Sequence, residues 1–268
     1  MFDKIRSGLK NVLDKNSIDN DGPASTDHNS ENEIPLIGYD SPICPYCNSK
    51  LEKMPARKKK CPSCGEFIFV RTRPSDRKKI LVTAEQAEQV EEQWSIVNGT
   101  HDDYLARKKE YEDTKSELKK RFGIDPPEND ILWAIYNKQR TKYFLSQDFG
   151  HYRNTTLAMA QILYKESRLR HALEMYCEVF YLDLNGPQNL GGTSPKILKK
   201  FPPFDPDGFI VPRMVEHIEI LAEKNNLSTD ELKTIFIDHN RVVEKSLETP
   251  LSPAKAWEMF EEELSKAK

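Results

Sequence analysis

The 268-residue sequence contains no apolar run of about eighteen residues, so a helix that crosses a membrane is excluded. Its first fifteen residues lack an uninterrupted apolar stretch, so no cleavable signal is expected and a bacterial-type cytoplasm is the default location. No glycine-rich phosphate loop, His-Glu-x-x-His, nucleophile elbow or kinase signature occurs. The six histidines are scattered singly. His171 reads as a helix-face residue, and His217 and Glu219, two apart, diverge on a helix and cannot converge on one ion. Asp102 and Asp103 beside His101 read as a helix start. Asp205 and Asp207 lie among prolines, where turn formation accounts for them. These absences argue against an enzyme. Hydrophobic residues reach only 37% against 31% charged, which implies a heavily charged surface and some disorder.

Cysteine is also scarce, and its placement is informative. Four of the five cysteines fall in CPYCNSKLEKMPARKKKCPSCGEFIFVRTRP, as two Cys-x-x-Cys pairs thirteen residues apart. Each pair lets two thiolates converge on one ion, and two such knuckles on a hairpin complete a closed tetrahedral zinc site. Cys44 and Cys47 form one half, Cys61 and Cys64 the other. Pro45 and Pro62 stiffen the knuckles, while Asn48 and Gly65 stand where a left-handed residue is often needed. EFIFVRT alternates as a ribbon strand. One structural Zn2+ is the expected cofactor. The alternatives are iron in a rubredoxin-like setting, a pair of disulfides, or a redox dithiol. Cys177, in an apolar helical context, reads as a small core residue.

CPYC, the basic loop after it and KKKCPSCGEFIFVRTRPSDRKKILVTAEQ resemble the zinc-ribbon head of a family of bacterial and phage proteins with no assigned activity. The resemblance spans residues 43 to 95 and implies the fold of the head, not a chemistry.

The net charge of −3 conceals an asymmetry. Residues 44–80 hold eleven Lys/Arg against three Asp/Glu, a basic island in an acidic chain. Arg57, Lys58, Lys59 and Lys60 lie between the knuckles, and Arg71, Arg73, Arg77, Lys78 and Lys79 lie in and after the strand. If the hairpin joins them into one patch, nucleic acid is the expected partner, with Tyr46, Phe67 and Phe69 available to stack on bases. Otherwise the aromatics form the ribbon's small core and the bases serve solubility or an acidic protein partner.

The chain divides in this reading into five parts. Residues 1–15 form an amphipathic helix whose stripe of Phe2, Ile5, Leu9, Val12 and Leu13 lies on its own domain, a partner groove or a membrane surface. Residues 16–41 are a disordered acidic linker and 42–80 the zinc ribbon. Residues 81–123 are charged helices, the first opened by a Thr83/Gln86 capping box with Ala87, Val90, Trp94 and Val97 on one face. The second has a thin apolar face of Leu105, Tyr111, Leu118 and Phe122 and stops at Gly123.

Residues 124–268 form an α-helical domain. Within it, NTTLAMAQILYKESRLRHALEMYCEVFYLDLNG is similar to one tetratricopeptide hairpin. Ala160 and Ala172 take its small positions, Ser167 the turn and Tyr176 the aromatic one. Only one unit occurs where such repeats need neighbours, so a generic helical bundle remains equally open. A Pro/Gly-rich connection over 185–211 precedes three helices at about 212–225, at 229–246 after a Ser228/Glu231 capping box, and at 253–266 with Ser252 as cap and Pro253 in the first turn. The fold class is mainly α, a small β zinc ribbon followed by an all-α domain. The expected role is a non-enzymatic adaptor, with nucleic acid on the ribbon and a protein on the helical domain or N-terminal helix. A pure protein–protein scaffold, or an enzyme with its site near the 185–211 loop, are the alternatives.

Overall fold

The structure, a computed structural model, describes residues 36–188, 195–200, 202–204 and 210–267. The expected N-terminal helix and most of the linker lie outside the described residues. The end of the segment assigned to the linker is packed. Tyr39 exchanges backbone hydrogen bonds with Leu81 at 3.0 and 2.7 Å. Gly38 sits at φ +77°, where an added Cβ would stand 2.6 Å from Val82 Cγ1 and 2.8 Å from the Leu81 carbonyl oxygen. Only glycine fits so close an approach.

Three short antiparallel strands form one sheet in the order β1 (Lys59–Lys60), β2 (Phe67–Thr72), β3 (Lys79–Val82). The two-residue alternation of β2 gives the sheet two distinct faces. Ile68 and Val70 turn, with Leu81, toward Cys44, Cys61 and Leu51. On the other face Phe69 packs with Ile80 and Val82 against Ala87, Val90 and Trp94 of helix α1 (Ala84–Val97). Helix α1 opens with the expected capping box, in which Gln86 N donates to Thr83 Oγ1 and Thr83 N to Gln86 Oε1, both at 3.1 Å. Val97, placed on the same face as Ala87, Val90 and Trp94 from its spacing, is the last residue of α1 and is 46% exposed.

Helix α2 (His101–Phe122) carries Asp102 and Asp103 in its first turn and Lys119, Lys120 and Arg121 in its last, the charge order that suits the helix dipole. Its apolar face is as thin as expected: Leu105 and Phe122 are exposed, and Thr114 is its buried residue. The chain separates into two compact units within this helix, between Glu110 and Tyr111.

The second unit is helical: α3 (Glu128–Leu145), α4 (Phe149–Lys165), α5 (Leu169–Asn185), the short α6 (Pro195–Lys200), α7 (Pro212–Lys224), α8 (Thr229–Leu247) and α9 (Pro253–Ala267). Helix α6 falls inside the connection expected to be loop. Helix α5 is the centre of the unit and packs on α4, α7, α8 and α9. From Tyr176 to Asn185 every residue is buried, so this stretch is covered around its whole circumference rather than along one stripe. Phe180, Phe236, Trp257 and Phe260 are fully buried; Phe180 meets Phe260 edge to face at 5.1 Å, Trp257 meets Phe236 edge to face and Phe260 tilted, and Phe236 stacks on Phe260 at 6.0 Å. Cys177 is fully buried in the same core.

Helices α4 and α5 are joined through Ser167, whose φ of 60° makes the turn. Ala160 and Ala172 are both 0% exposed, and their small size lets the two helices approach closely. Ala172→Leu is therefore expected to destabilise the unit by roughly 1–3 kcal/mol through overpacking. Urea unfolding should move the midpoint at constant m. A variant within a few tenths of a kcal/mol of wild type would mean that Ala172 does not mark a tight contact.

Candidate metal centre and the basic sheet face

The two knuckles have the same backbone geometry. In the first, Asn48 N donates to Cys44 O at 2.9 Å and Cys44 N to Ser49 O at 2.9 Å. In the second, Gly65 N donates to Cys61 O at 2.9 Å and Cys61 N to Glu66 O at 2.8 Å. Asn48 and Gly65 both adopt positive φ, 58° and 77°, which closes each turn. The repeated turn brings the four sulfurs of Cys44, Cys47, Cys61 and Cys64 within 4.8 Å of one another. Cys44 and Cys61 are buried, Cys47 and Cys64 exposed.

The sulfur spacing tests what the cluster is for. Cys44 Sγ lies 3.8 Å from Cys64 Sγ, and Cys47 Sγ lies 3.8 Å from Cys61 Sγ. A disulfide needs about 2.05 Å. A regular tetrahedron with metal–sulfur bonds of about 2.3 Å has edges of about 3.8 Å. The four thiols thus fit a metal ion and not a pair of disulfides.

Their acidities agree. The Cys64 amide, with help from Ser49 and Ser63, holds Cys61 down to about 6. At Cys64 the Glu66 amide pulls the other way, yet desolvation and the three neighbouring thiols push it up to about 12. Four thiolates this close cannot ionise together without a cation among them, and a divalent ion would remove that spread. Four protein ligands leave no open position, so such an ion closes the ribbon and offers no site for a substrate.

The expected basic residues separate in the structure. Arg57, Lys58, Lys59 and Lys60 are exposed before and within β1, and Arg77, Lys78 and Lys79 are exposed at the opposite end of β2. The two groups flank β2, a strand of six residues. Arg73 is occupied elsewhere. It is 6% exposed, holds Asp76 through two hydrogen bonds of 3.1 and 2.6 Å, and donates to the Ile37 carbonyl at 3.2 Å. This pairing holds the Asp76 carboxyl down to about 2. Arg73 pins the β2–β3 turn to the preceding chain. Arg71 lies 3.4 Å from Glu91 of α1.

Between the two basic groups lies an aromatic strip. Phe67 is 45% exposed, with Lys58 Nζ 4.8 Å and Lys60 Nζ 5.1 Å from its ring centre. Lys58 also lies 4.2 Å over Phe69, and Arg77 4.4 Å over Trp94. Tyr46 stays 38% exposed and has a further role that its sequence position does not reveal. Its hydroxyl accepts from Ala84 N at 2.9 Å, so a residue of the first knuckle caps the start of α1.

The helical unit holds a buried polar network that the sequence does not reveal. Glu178 is 2% exposed, and its Oε1 accepts from Arg140 Nη2 at 2.5 Å and Tyr152 OH at 2.9 Å. Its Oε2 lies 3.1 Å from His239 Nε2, and Arg140 Nε donates to Thr156 Oγ1 at 3.1 Å. Four helices, α3, α4, α5 and α8, converge on this one carboxylate. The only advance signal is an acid within the apolar run EMYCEVFYLDLN. Asp183, five residues on and 1% exposed, makes a two-pronged pair with Arg153 at 2.6 Å on each prong.

Within the 185–211 connection Gln188 N donates to Pro203 O at 2.9 Å, and Phe204 stacks on Phe149 at 4.7 Å. Residues 189–194, 201 and 205–209, where an active site was the alternative expectation, lie outside the described residues. Among the described residues, no helix is long and apolar enough to cross a membrane.

Compared with protein-family models, curated proteins and solved structures, the chain finds no match. What is established is therefore a four-cysteine ribbon-like head, with its three-stranded sheet, on a mainly helical chain.

Proposed function

We propose that this chain is a zinc-binding adaptor whose ribbon contacts nucleic acid and whose helical unit contacts a protein. The carrying observation is that one hairpin bears both the four-sulfur cluster and an exposed run of four bases, Arg57 to Lys60, between its ligands. A closed site of four cysteines favours zinc as a structural ion over a catalytic one. Zinc would hold the loop rigid, so its charges need little ordering when they meet phosphates. The protein-facing half rests on the tightly packed α4–α5 pair, read as a tetratricopeptide-like hairpin within a larger helical unit. The cytoplasm is the compartment in which free thiols and such a site coexist.

Salt dependence provides the test. Each phosphate contact releases counterions, so log affinity falls against log salt with a slope of about −0.9 per contact on duplex and about −0.7 on single strands. Replacing Arg57, Lys58, Lys59 and Lys60 together with Gln is expected to flatten that slope by as much as about 3 while the metal stays bound. The loss should be similar across sequences, because phosphates carry no code. Wild-type protein that binds neither duplex nor single strands at low salt would leave the bases to a protein contact or to solubility.

A further inference from the structure

We infer that the open end of the β2 face stacks unpaired bases, so that the nucleic acid bound by the ribbon is single-stranded. This rests on the phosphate-contact reading above and specifies its ligand.

The strip is built by register. Phe67, Phe69 and Arg71 alternate onto one face of β2, and Lys60 stands directly opposite Phe67 on β1. Lys58, two residues earlier, shares that side and reaches both rings. Helix α1 covers the face at β3, where Ile80 and Val82 are fully buried, and leaves the β1 end uncovered. Phe67 is thus an exposed ring bordered by ammonium groups rather than by apolar side chains. A ring so placed contributes little to the ribbon's core, whereas Ile68 beside it is fully buried on the opposite face.

The lysines over the rings do not block the surface. An exposed ammonium–ring contact is weak, and base–aromatic stacking is stronger. An incoming base displaces Lys58 or Lys60 from the ring, and the released ammonium can meet the phosphate of the same nucleotide. Spacing selects against duplex. Residues two apart on a strand stand about 6.6–6.8 Å apart, roughly twice the 3.4 Å rise of one strand in duplex DNA. Successive bases reach Phe67 and Phe69 only if they are unstacked, and a duplex presents no base faces at all. Phe69 is partly covered by α1, so Phe67 is the principal platform. Glu91, paired with Arg71 at 3.4 Å, limits the strip at its other end.

The test is fluorescence anisotropy on the full, metal-loaded chain. The probes are labelled oligothymidylate, its oligouridylate counterpart and a duplex of equal length. Wild type is expected to prefer a single strand, of either sugar, to duplex. Phe67→Ala should lose about tenfold on single strands, the scale of one stacked base, and change less than about twofold on duplex. Phe67→Leu keeps an apolar side chain without a stacking face and should lose affinity similarly. Metal content and helical circular dichroism verify that both variants are folded. Wild-type affinity in Phe67→Leu, or equal losses on single strand and duplex, overturns stacking and leaves the salt-dependent phosphate reading standing. Absence of binding to every probe removes both.

Discussion

Cys61→Ser is expected to abolish metal binding and unfold the ribbon while most of the helical signal survives. Cys61 is buried, receives the Ser63 amide at 3.4 Å and lies 3.8 Å from Cys47 Sγ, so a hydroxyl in its place breaks the closed ligand set. The ribbon has little to fall back on. Its metal-side core is Leu51, Ile68, Leu81 and two of the cysteines, Cys44 and Cys61. In small zinc domains metal binding is folding free energy, about 10–16 kcal/mol in finger peptides. The helical unit has its own core around Phe180, Phe236, Trp257 and Phe260 and does not depend on the sulfurs. Elemental analysis should give one zinc per wild-type chain and none for the variant, with far-ultraviolet circular dichroism reduced only modestly. Because Tyr46 caps Ala84, part of that reduction should come from the first turn of α1, visible as faster amide exchange there. Metal-free wild-type protein, freshly purified without chelator, would end the zinc reading.

Glu178→Ala should be strongly damaging to the helical unit. It leaves Arg140 without its carboxylate and removes the acceptor for Tyr152 and a partner of His239. Breaking a buried pair costs about 3–5 kcal/mol, and Arg140, whose side chain is 27% exposed, places the loss near about 3. For a unit of this size that corresponds to roughly 6–12 °C in Tm. The acid limb of stability carries the same signature. Burial works against the Glu178 charge, but the His239 hydrogen bond and the Arg140 guanidinium more than offset it, and its pKa is lowered. A carboxyl depressed in the fold contributes stability above its unfolded value of about 4.3, lost as pH falls through the lower folded value. Glu178→Gln should be less stable than wild type at pH 7 and lose less on acidification. Parallel acid limbs for the two proteins would show that Glu178 is not a charged centre of the core.

Local chemistry by itself determined much of the fold. The spacing of four cysteines, with Asn48 and Gly65 after each pair, specified two knuckles because such turns close within six residues. The capping boxes at Thr83/Gln86 and Ser228/Glu231, and Pro253 in the first turn of α9, marked helix starts because caps act within one turn. The choice of partners across long sequence distances was settled only by tertiary structure. Arg73 and Lys79 read alike in the sequence, yet one is buried on Asp76 and the other lies at the surface, since burial depends on where β3 and Ile37 return. Tyr46 reads only as a stacking ring, and its bond to the Ala84 amide arises because the fold brings α1 to the first knuckle. Glu178 reads as an interruption of an apolar helix. Its partners Arg140 and His239 are 38 and 61 residues away, and only the packing of α3 on α4, and of α4 and α8 on α5, brings them within hydrogen-bond reach.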